Sequence, residues 1–454
     1  MMENNKNMIN NETAASPAAA PAKPKKPTMQ DEADALFALE MRVADQAKGS
    51  DRTVIALFLA LIFVLGALIL ILPDKDFSEQ ENRSLQKFPQ IQSRFDGNLV
   101  ERIAAGKFLD KYFSGDFAED ISDYYADQFP ARNFFVGLKG VSEIVMLKGE
   151  NNDVVLGADG YLLSRMDNPK LENVITNYDA AAAFAARMAE NGVSVTFAAA
   201  GRVIDVMESK LPALFPAEEL HAPWTTLENR AEETHIAGSA EYTEMLYLDL
   251  LTPLKAAAEA GEQVMYRTDH HWTTHGAYLA YVELMKLWGM EAEVLPLSAF
   301  TVETVSDAFY GTAWRNAGMK WIAPDTMEYY RFAGDEDFTM TIHDSGTAME
   351  GFYDRSYLEK TDQYSSFISG NHAYVTIEKN GGEDRPRMLL VKDSFGHSLA
   401  PFLAYHFDLE IIDLRYYKTS AAALVEETGC DSVLMINNMD SLTGAATLGM
   451  LGME

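Results

Sequence analysis

Residues 53–72 read TVIALFLALIFVLGALILIL, a run of 20 without a charged side chain. As a helix this run is about 30 Å long, the thickness of a bilayer's hydrocarbon core. A helix buried in a soluble domain normally keeps a polar stripe, and this one has none. A cleavable export signal pairs a short basic leader with a shorter apolar stretch, whereas 52 residues precede this run. The expectation is one uncleaved transmembrane helix at 53–72.

The run also divides the charge. The chain of 454 residues holds 68 Asp+Glu against 37 Lys+Arg, a formal net charge of −31. Seven bases and eight acids precede the span, and 30 bases and 60 acids follow it. Such a field repels phosphate backbones, so nucleic-acid binding is excluded as a function class. Lys+Arg do not orient the span, because residues 73–124 hold seven, the same number as the residues before it. With 48% hydrophobic and 11% aromatic residues the part after the span can bury a sizeable core. Cys430 is the one cysteine, which leaves His and carboxylates as the only ligands for any metal.

Residues 1–29 are too poor in large apolar groups to fold, and 31–48 suit one short helix. Residues 77–89 read as a polar connector, and 116–127 and 131–147 as helices parted by Pro130. The turn GADG at 157–160 joins strands at 153–156 and 161–164. From 171 onward helices alternate with continuous apolar strands. Helices are expected at 171–190, 225–235, 253–261 and 274–288, with strands at 193–199, 245–250 and 263–267. Residues 300–372, rich in Tyr, Thr, Gly and Asp, read as an insertion of short strands and loops. Strands at 373–377, 388–391, 409–414 and 432–436 and helices at 395–406 and 419–428 follow. This alternation predicts a mainly parallel α/β sheet covered on both faces.

Two places carry candidate chemistry. Residues 266–275, YRTDHHWTTH, hold three of the nine histidines and lie where a strand is expected to end and a helix to begin. Ligands bind at such strand ends in α/β sheets. Residues 388–397, MLLVKDSFGH, place Ser394 after an apolar strand at a helix entrance, where free N–H groups can hold an oxyanion. The placement is that of a nucleophile elbow, with Lys392 where the first Gly of Gly-x-Ser-x-Gly stands. A serine becomes nucleophilic beside a neutral imidazole that a carboxylate orients. Asp269 and His271 can supply both, while His270 should point the other way, as neighbours in extended backbone do.

Asp269-His270-His271-Trp272 spells the signature of the DHHW family, and the Asp-x-His-Trp pattern is similar to that of alginate O-acetyltransferase-like proteins. Glu81-Asn82-Arg83, the stretch DQFPAR at 127–132, GADGYLL at 157–163 and KDSFG at 392–396 also resemble landmarks of these relatives. The resemblance implies an SGNH-hydrolase-like three-layer α/β sandwich. It implies catalysis by Ser394, His271 and Asp269, without a cofactor or a catalytic metal. The implied reaction moves or removes an acetyl group on an envelope polysaccharide, beside a membrane-bound O-acyltransferase partner. The expected layout is a tail at 1–52, the membrane helix at 53–72, a helical neck at 73–150 and a catalytic domain at 151–454. The tail then faces the cytoplasm and the catalytic domain lies outside the membrane.

Relatives often carry Pro-Thr-Lys after the strand at 193–199, where this chain has Ala200-Gly201-Arg202, which leaves the substrate open. The excess of acids favours a neutral or weakly charged glycan. Oxyanion donors are sought at Ser394, at Gly311 and in the Asn437 amide. Tyr266, Trp272, Trp314, Tyr329, Tyr330, Tyr353 and Tyr357 are candidate sugar-stacking rings, and Arg267 and Arg315 candidate contacts to acidic groups. Two other functions use the same residues. One is a glycan-binding or assembly protein without turnover. The other is a metal site at 269–275 built on His271 and His275, for which the Glu of His-Glu-x-x-His is replaced by Trp272.

Overall fold

A computed structural model describes residues 29–78, 83–88, 115–146, 148–166, 168–235, 243–381 and 385–453. The polar tail at 1–28 lies outside them. The chain divides into two units, 1–73 and 74–454.

In the first unit, α1 (Met29–Ile71) is one continuous helix of 43 residues rather than a short helix followed by a separate span. It stops one residue short of the expected 72, because Pro73 disfavours helical backbone at Leu72. Its stretch Asp51–Ile69 is long and apolar enough to cross a membrane. A core helix would bury this stretch, but Leu57, Phe58 and Phe63 remain 66%, 59% and 78% exposed.

The second unit begins with a short antiparallel pair, Phe77–Ser78 with Arg83–Ser84. The helices α2 (Asp116–Asp127) and α3 (Arg132–Val145) follow, parted at Pro130 as expected. Val154–Leu156 and Leu162–Ser164 pair antiparallel around the GADG turn, where Asp159 and Gly160 adopt positive φ.

The centre of the unit is an eight-stranded sheet. Its strands are β1 (Ser194–Ala200), β2 (Leu246–Asp249), β3 (Phe338–Ile342), β4 (Thr347–Glu350), β5 (Tyr374–Lys379), β6 (Arg387–Lys392), β7 (Asp408–Ile412) and β8 (Ser432–Asn438). In space they run β4-β3-β5-β7-β6-β8-β1-β2. The five strands from β7 to β2 are parallel to one another, while β5, β3 and β4 add on antiparallel. The expected parallel arrangement therefore describes one part of the sheet only. β3 and β4 come from the stretch read as an insertion, which here extends the sheet.

Alternate side chains of the same strands enter two different cores. Leu389 and Val391 of β6, Phe197 of β1 and Met435 of β8 pack under α4 (Leu171–Ala189), α5 (Glu218–Thr234) and α9 (Ala421–Thr428). Met388 and Leu390, Ala198 and Leu434 pack under α6 (Leu251–Glu259), α7 (Thr274–Leu287) and α8 (Gly396–Ala404). Helices on both sides explain why β6 and β8 carry unbroken apolar runs. The result is a three-layer sandwich.

One expected strand does not form. Residues 263–267 make only a bridge between Met265 and Trp272, so the segment doubles back on itself. Five apolar-rich residues do not distinguish a buried strand from a buried turn. The catalytic-looking loop therefore leaves a bend rather than a strand end.

Candidate active site

β6 delivers Ser394 to the carboxyl end of the sheet, and the turn after it is tied down on both sides. The Asp393 carboxylate accepts from the backbone N–H of Phe395 at 2.9 Å and of Asn438 at 2.7 Å, and from Ser441 Oγ at 2.7 Å. Asp393 thus fastens the Ser394 turn to the end of β8. Gly396 opens α8 directly over Lys392, and a Cβ there would fall 2.6 Å from Lys392 Cβ. Only glycine allows the chain to turn this tightly into the helix.

The bend at 266–272 is held by one residue the sequence did not single out. Asp325 is buried and accepts from the Arg267 Nε and backbone N–H, the Thr268 N–H and the Thr268 hydroxyl, the last at 2.7 Å. Thr273 Oγ1 then accepts from Gly276 N–H and caps α7. Between these two fixed points lie Asp269, His270 and His271, of which His271 reaches Ser394.

Asp269, His271 and Ser394 form an unbroken chain. Asp269 Oδ1 accepts from His271 Nδ1 at 2.5 Å, and His271 Nε2 lies 2.7 Å from Ser394 Oγ. Asp269 Oδ1 also accepts from the His271 N–H at 3.1 Å, and Oδ2 from the Thr312 N–H at 2.7 Å. Burial alone would raise the Asp269 carboxyl. The imidazoles of His270 and His271 and the Thr312 N–H outweigh it and hold the group well below the usual carboxylate range. Asp269 is therefore ionised and fixes the tautomer of His271, leaving Nε2 free to take the Ser394 proton.

His270 does not point away. Its ring centroid lies 3.9 Å from that of His271, and its Nδ1 lies 3.8 Å from Asp269 Oδ2. Neighbouring side chains diverge in extended backbone, and this backbone is bent. Burial and the nearby His271 push His270 down to about 4, so it is neutral near pH 7. Asp269, His270 and His271 offer ligand atoms within 4.8 Å of one another. A metal there would compete for the His271 ring, whose two nitrogens already face Asp269 and Ser394. His275 is not part of the group, because its Nε2 lies 2.5 Å from Glu262 Oε2.

Several other expectations are corrected. The Gly311 N–H donates to Thr268 Oγ1 at 3.2 Å and is not aimed at a reacting oxygen. Gly311 is needed for a different reason, since a Cβ there would fall 2.1 Å from Asp269 Cβ and 2.2 Å from Oδ2. Tyr266 and Trp272 are 1% and 0% exposed, so they are core rings rather than sugar platforms. Tyr329 is fully buried too, stacked on Tyr353. Arg315 is buried and donates to the Tyr310 and Thr361 carbonyls and to Thr312 Oγ1. The Arg315 guanidinium is thus spent on the fold. Arg267 and Trp314 are half-buried: Arg267 pairs with Asp325, and the Trp314 ring has Tyr310 at 4.2 Å and the Lys320 ammonium at 3.5 Å.

Two oxyanion candidates remain. The Ser394 N–H has no protein acceptor among the described residues. Asn437 is the penultimate residue of β8, the strand beside β6, and its buried Oδ1, an acceptor, has no partner among the described residues. Asn437 lines a cavity of about 240 Å³ with Asp393, Asp413, Arg415 and Asp440.

Tyr364, from the stretch read as an insertion, was not foreseen. Its ring stacks on His271 with centroids 3.8 Å apart and planes 9° from parallel. No sequence pattern marks it, because its neighbours form only a short 3-10 turn.

Residues 254–412, which contain both halves of this site, match the model of the DHHW protein family. A probable alginate O-acetylase, AlgJ, of Pseudomonas fluorescens is 27% identical over 177 residues, covering 38% of this chain. The match spans 43% of that relative, less than half its length. A DHHW family protein from Eubacterium siraeum superposes with a TM-score of 0.51 at 22% identity, covering 67% of this chain and 96% of that one. Bacillus cereus PatB1, solved with a sulfonyl adduct, gives a TM-score of 0.52 at 19% identity, covering 65% and 96%. The two solved structures share the fold.

Proposed function

We propose that this chain, which carries a DHHW-family domain, is a membrane-anchored serine acyltransferase or esterase that moves or removes an acetyl group on a cell-envelope polysaccharide. The observation that carries the reading is the continuous hydrogen-bonded series Asp269, His271, Ser394 at the carboxyl end of a parallel strand. His271 Nε2 takes the Ser394 proton as Oγ attacks the acyl carbonyl. The oxyanion is received by the Ser394 N–H. His271 then returns the proton to the departing alcohol, leaving an acyl-serine. A sugar hydroxyl or water, deprotonated by the same imidazole, completes transfer or hydrolysis.

The alginate O-acetylase among the relatives supports acetyl chemistry on a polysaccharide. The net charge of −30 after residue 72 favours a glycan that is neutral or weakly charged. In this reading the helix at 51–69 crosses the membrane with the N-terminus in the cytoplasm, 73–150 forms the neck, and 151–454 works outside beside a membrane-bound acyl donor. No cofactor is required.

The test is hydrolysis of 4-nitrophenyl acetate by the full-length protein in detergent. Ser394→Ala and His271→Ala are each expected to lose on the order of 10³-fold or more in kcat/KM, and His270→Ala far less. Parental rates in Ser394→Ala would refute the reading.

A further inference from the structure

The Trp of the Asp-His-His-Trp segment is buried, and its hydrogen bond leads back to the catalytic imidazole. Trp272 Nε1 donates to Ser398 Oγ at 2.9 Å. The same Ser398 oxygen pairs with the Tyr364 hydroxyl at 2.9 Å. Ser398 sits in α8, one turn beyond Ser394. Tyr364 is 3% exposed, its ring wedged against Phe367 at 5.3 Å and lying flat on His271 at 3.8 Å. Trp272 meets Phe395 edge-on at 5.0 Å, and Phe395 in turn lies 5.3 Å from His271. The serine turn, the histidine loop and the 363–366 turn therefore share one buried junction.

From this we infer that Tyr364 is a positioning residue for His271: its ring, held in place by Ser398 and Trp272, sets the plane of the catalytic imidazole and stabilises the imidazolium formed during attack. The inference rests on the catalytic reading of Ser394 and His271 given above. Two effects follow from a flat ring at van der Waals distance. The first is geometric, since an imidazole against a fixed plate cannot rotate Nε2 out of line with Ser394 Oγ. The second is electrostatic. His271 becomes cationic when it takes the serine proton, and the face of a tyrosine attracts a cation. An interaction that appears with the charge lowers the barrier without tightening substrate binding. The ionisable groups around the ring agree with this. Asp269 supplies the balancing negative charge, His270 is neutral near pH 7, and the buried Tyr364 hydroxyl is raised and stays protonated.

The inference also gives Trp272 a purpose other than binding sugar. Its indole N–H holds Ser398, which holds the Tyr364 plate. It explains why a tyrosine distant in sequence from both site motifs belongs to the site.

The test uses the full-length protein in detergent and two readouts: kcat and KM for 4-nitrophenyl acetate, and the rate at which phenylmethylsulfonyl fluoride labels Ser394. Tyr364→Leu is expected to lose about tenfold in kcat and in labelling rate, with KM within about twofold. Tyr364→Phe keeps the ring face but gives up the bond to Ser398, so it is expected to lose no more than about threefold in either. Ser398→Ala, which removes the shared partner of the Trp272 N–H and the Tyr364 hydroxyl, is expected to lose about threefold by freeing the plate. Combined with His271→Ala, the Tyr364→Leu change is expected to add nothing, since it acts through that imidazole. A merely structural tyrosine would lower the residual rate of the double variant as well, and that result overturns the inference. So does parental kcat in Tyr364→Leu, or equal losses in Tyr364→Leu and Tyr364→Phe. Ser394→Ala measured in parallel separates the two claims. Parental activity there refutes the catalytic reading and this inference together, while its loss beside an unaffected Tyr364→Leu refutes the inference alone.

Discussion

Lys392 stands two residues before Ser394 with its ammonium buried and 3.8 Å from Asp413 Oδ2, too far for a hydrogen bond. Arg415 is closer to that carboxylate, at 2.6 Å, so Lys392 is poorly compensated. Burial lowers it from 10.5 to about 8. Between these values the unfolded chain holds one more proton than the folded one, so stability rises with pH across that window. Below about 8 the buried charge costs its full amount. Lys392→Met keeps the stem that packs under Gly396 and removes the charge. It is expected to be more stable than the parent by on the order of 2–3 kcal/mol near pH 7, with the advantage shrinking toward pH 10. Urea denaturation at the two pH values checks this, and a difference that did not change with pH would refute it. The chemistry of Asp269, His271 and Ser394 was legible because a serine nucleophile demands those partners whatever the fold. Tyr364, Asp325 and Thr268 were not, since their roles depend on where the chain folds back. Aromatic letters misled for the same reason. Tyr266 and Trp272 have the rings a sugar site needs, but a ring's identity does not say which side of it is solvent. Gly311 was singled out as a donor, whereas its importance lies in the side chain it lacks.

At the scale of elements, the strands covered on both faces were readable. β1, β6 and β8 carry continuous apolar runs, because both sheet faces are packed with helices. The helices α4 and α7 announced themselves by periodicity and by a bounding Gly or Thr. What failed was the part of the chain whose burial is one-sided. β3, with the sequence FTMTI, alternates buried and half-buried residues, a clear strand signal that its polar surroundings obscured. Residues 263–267 failed in the opposite sense. Their apolar content comes from burial under α7 in a bend, not from pairing with a neighbouring strand. The join at 49–53, read as a break between two helices, is helical throughout, since neither Gly49 nor Ser50 alone stops a helix flanked by strong formers. The site therefore sits where a readable element, β6, meets unreadable ones, the bend and the turn at 363–366. That is why Ser394 was easier to place than the surroundings of His271.

For the whole molecule, charge bears on the question of substrate. The chain after residue 72 carries 60 acids against 30 bases, so its field opposes the approach of a polyanion and leaves a neutral ester unaffected. Salt screens that field over about 10 Å at 0.1 M. Activity on an acetylated polyuronate is therefore expected to rise several-fold between low and moderate salt, while hydrolysis of 4-nitrophenyl acetate changes little. Polyuronate activity that rose as salt was lowered would show that a local cationic path outweighs the overall field. The central claim is more specific than charge or fold: Ser394 itself accepts the acyl group. Its most direct measurement is peptide mass analysis of the full-length protein, acid-quenched during turnover of 4-nitrophenyl acetate. The account predicts one acetyl group on the peptide containing Ser394, absent from Ser394→Ala and formed far more slowly in His271→Ala. An acetyl group found elsewhere at the parental rate, or turnover persisting in Ser394→Ala, would contradict it.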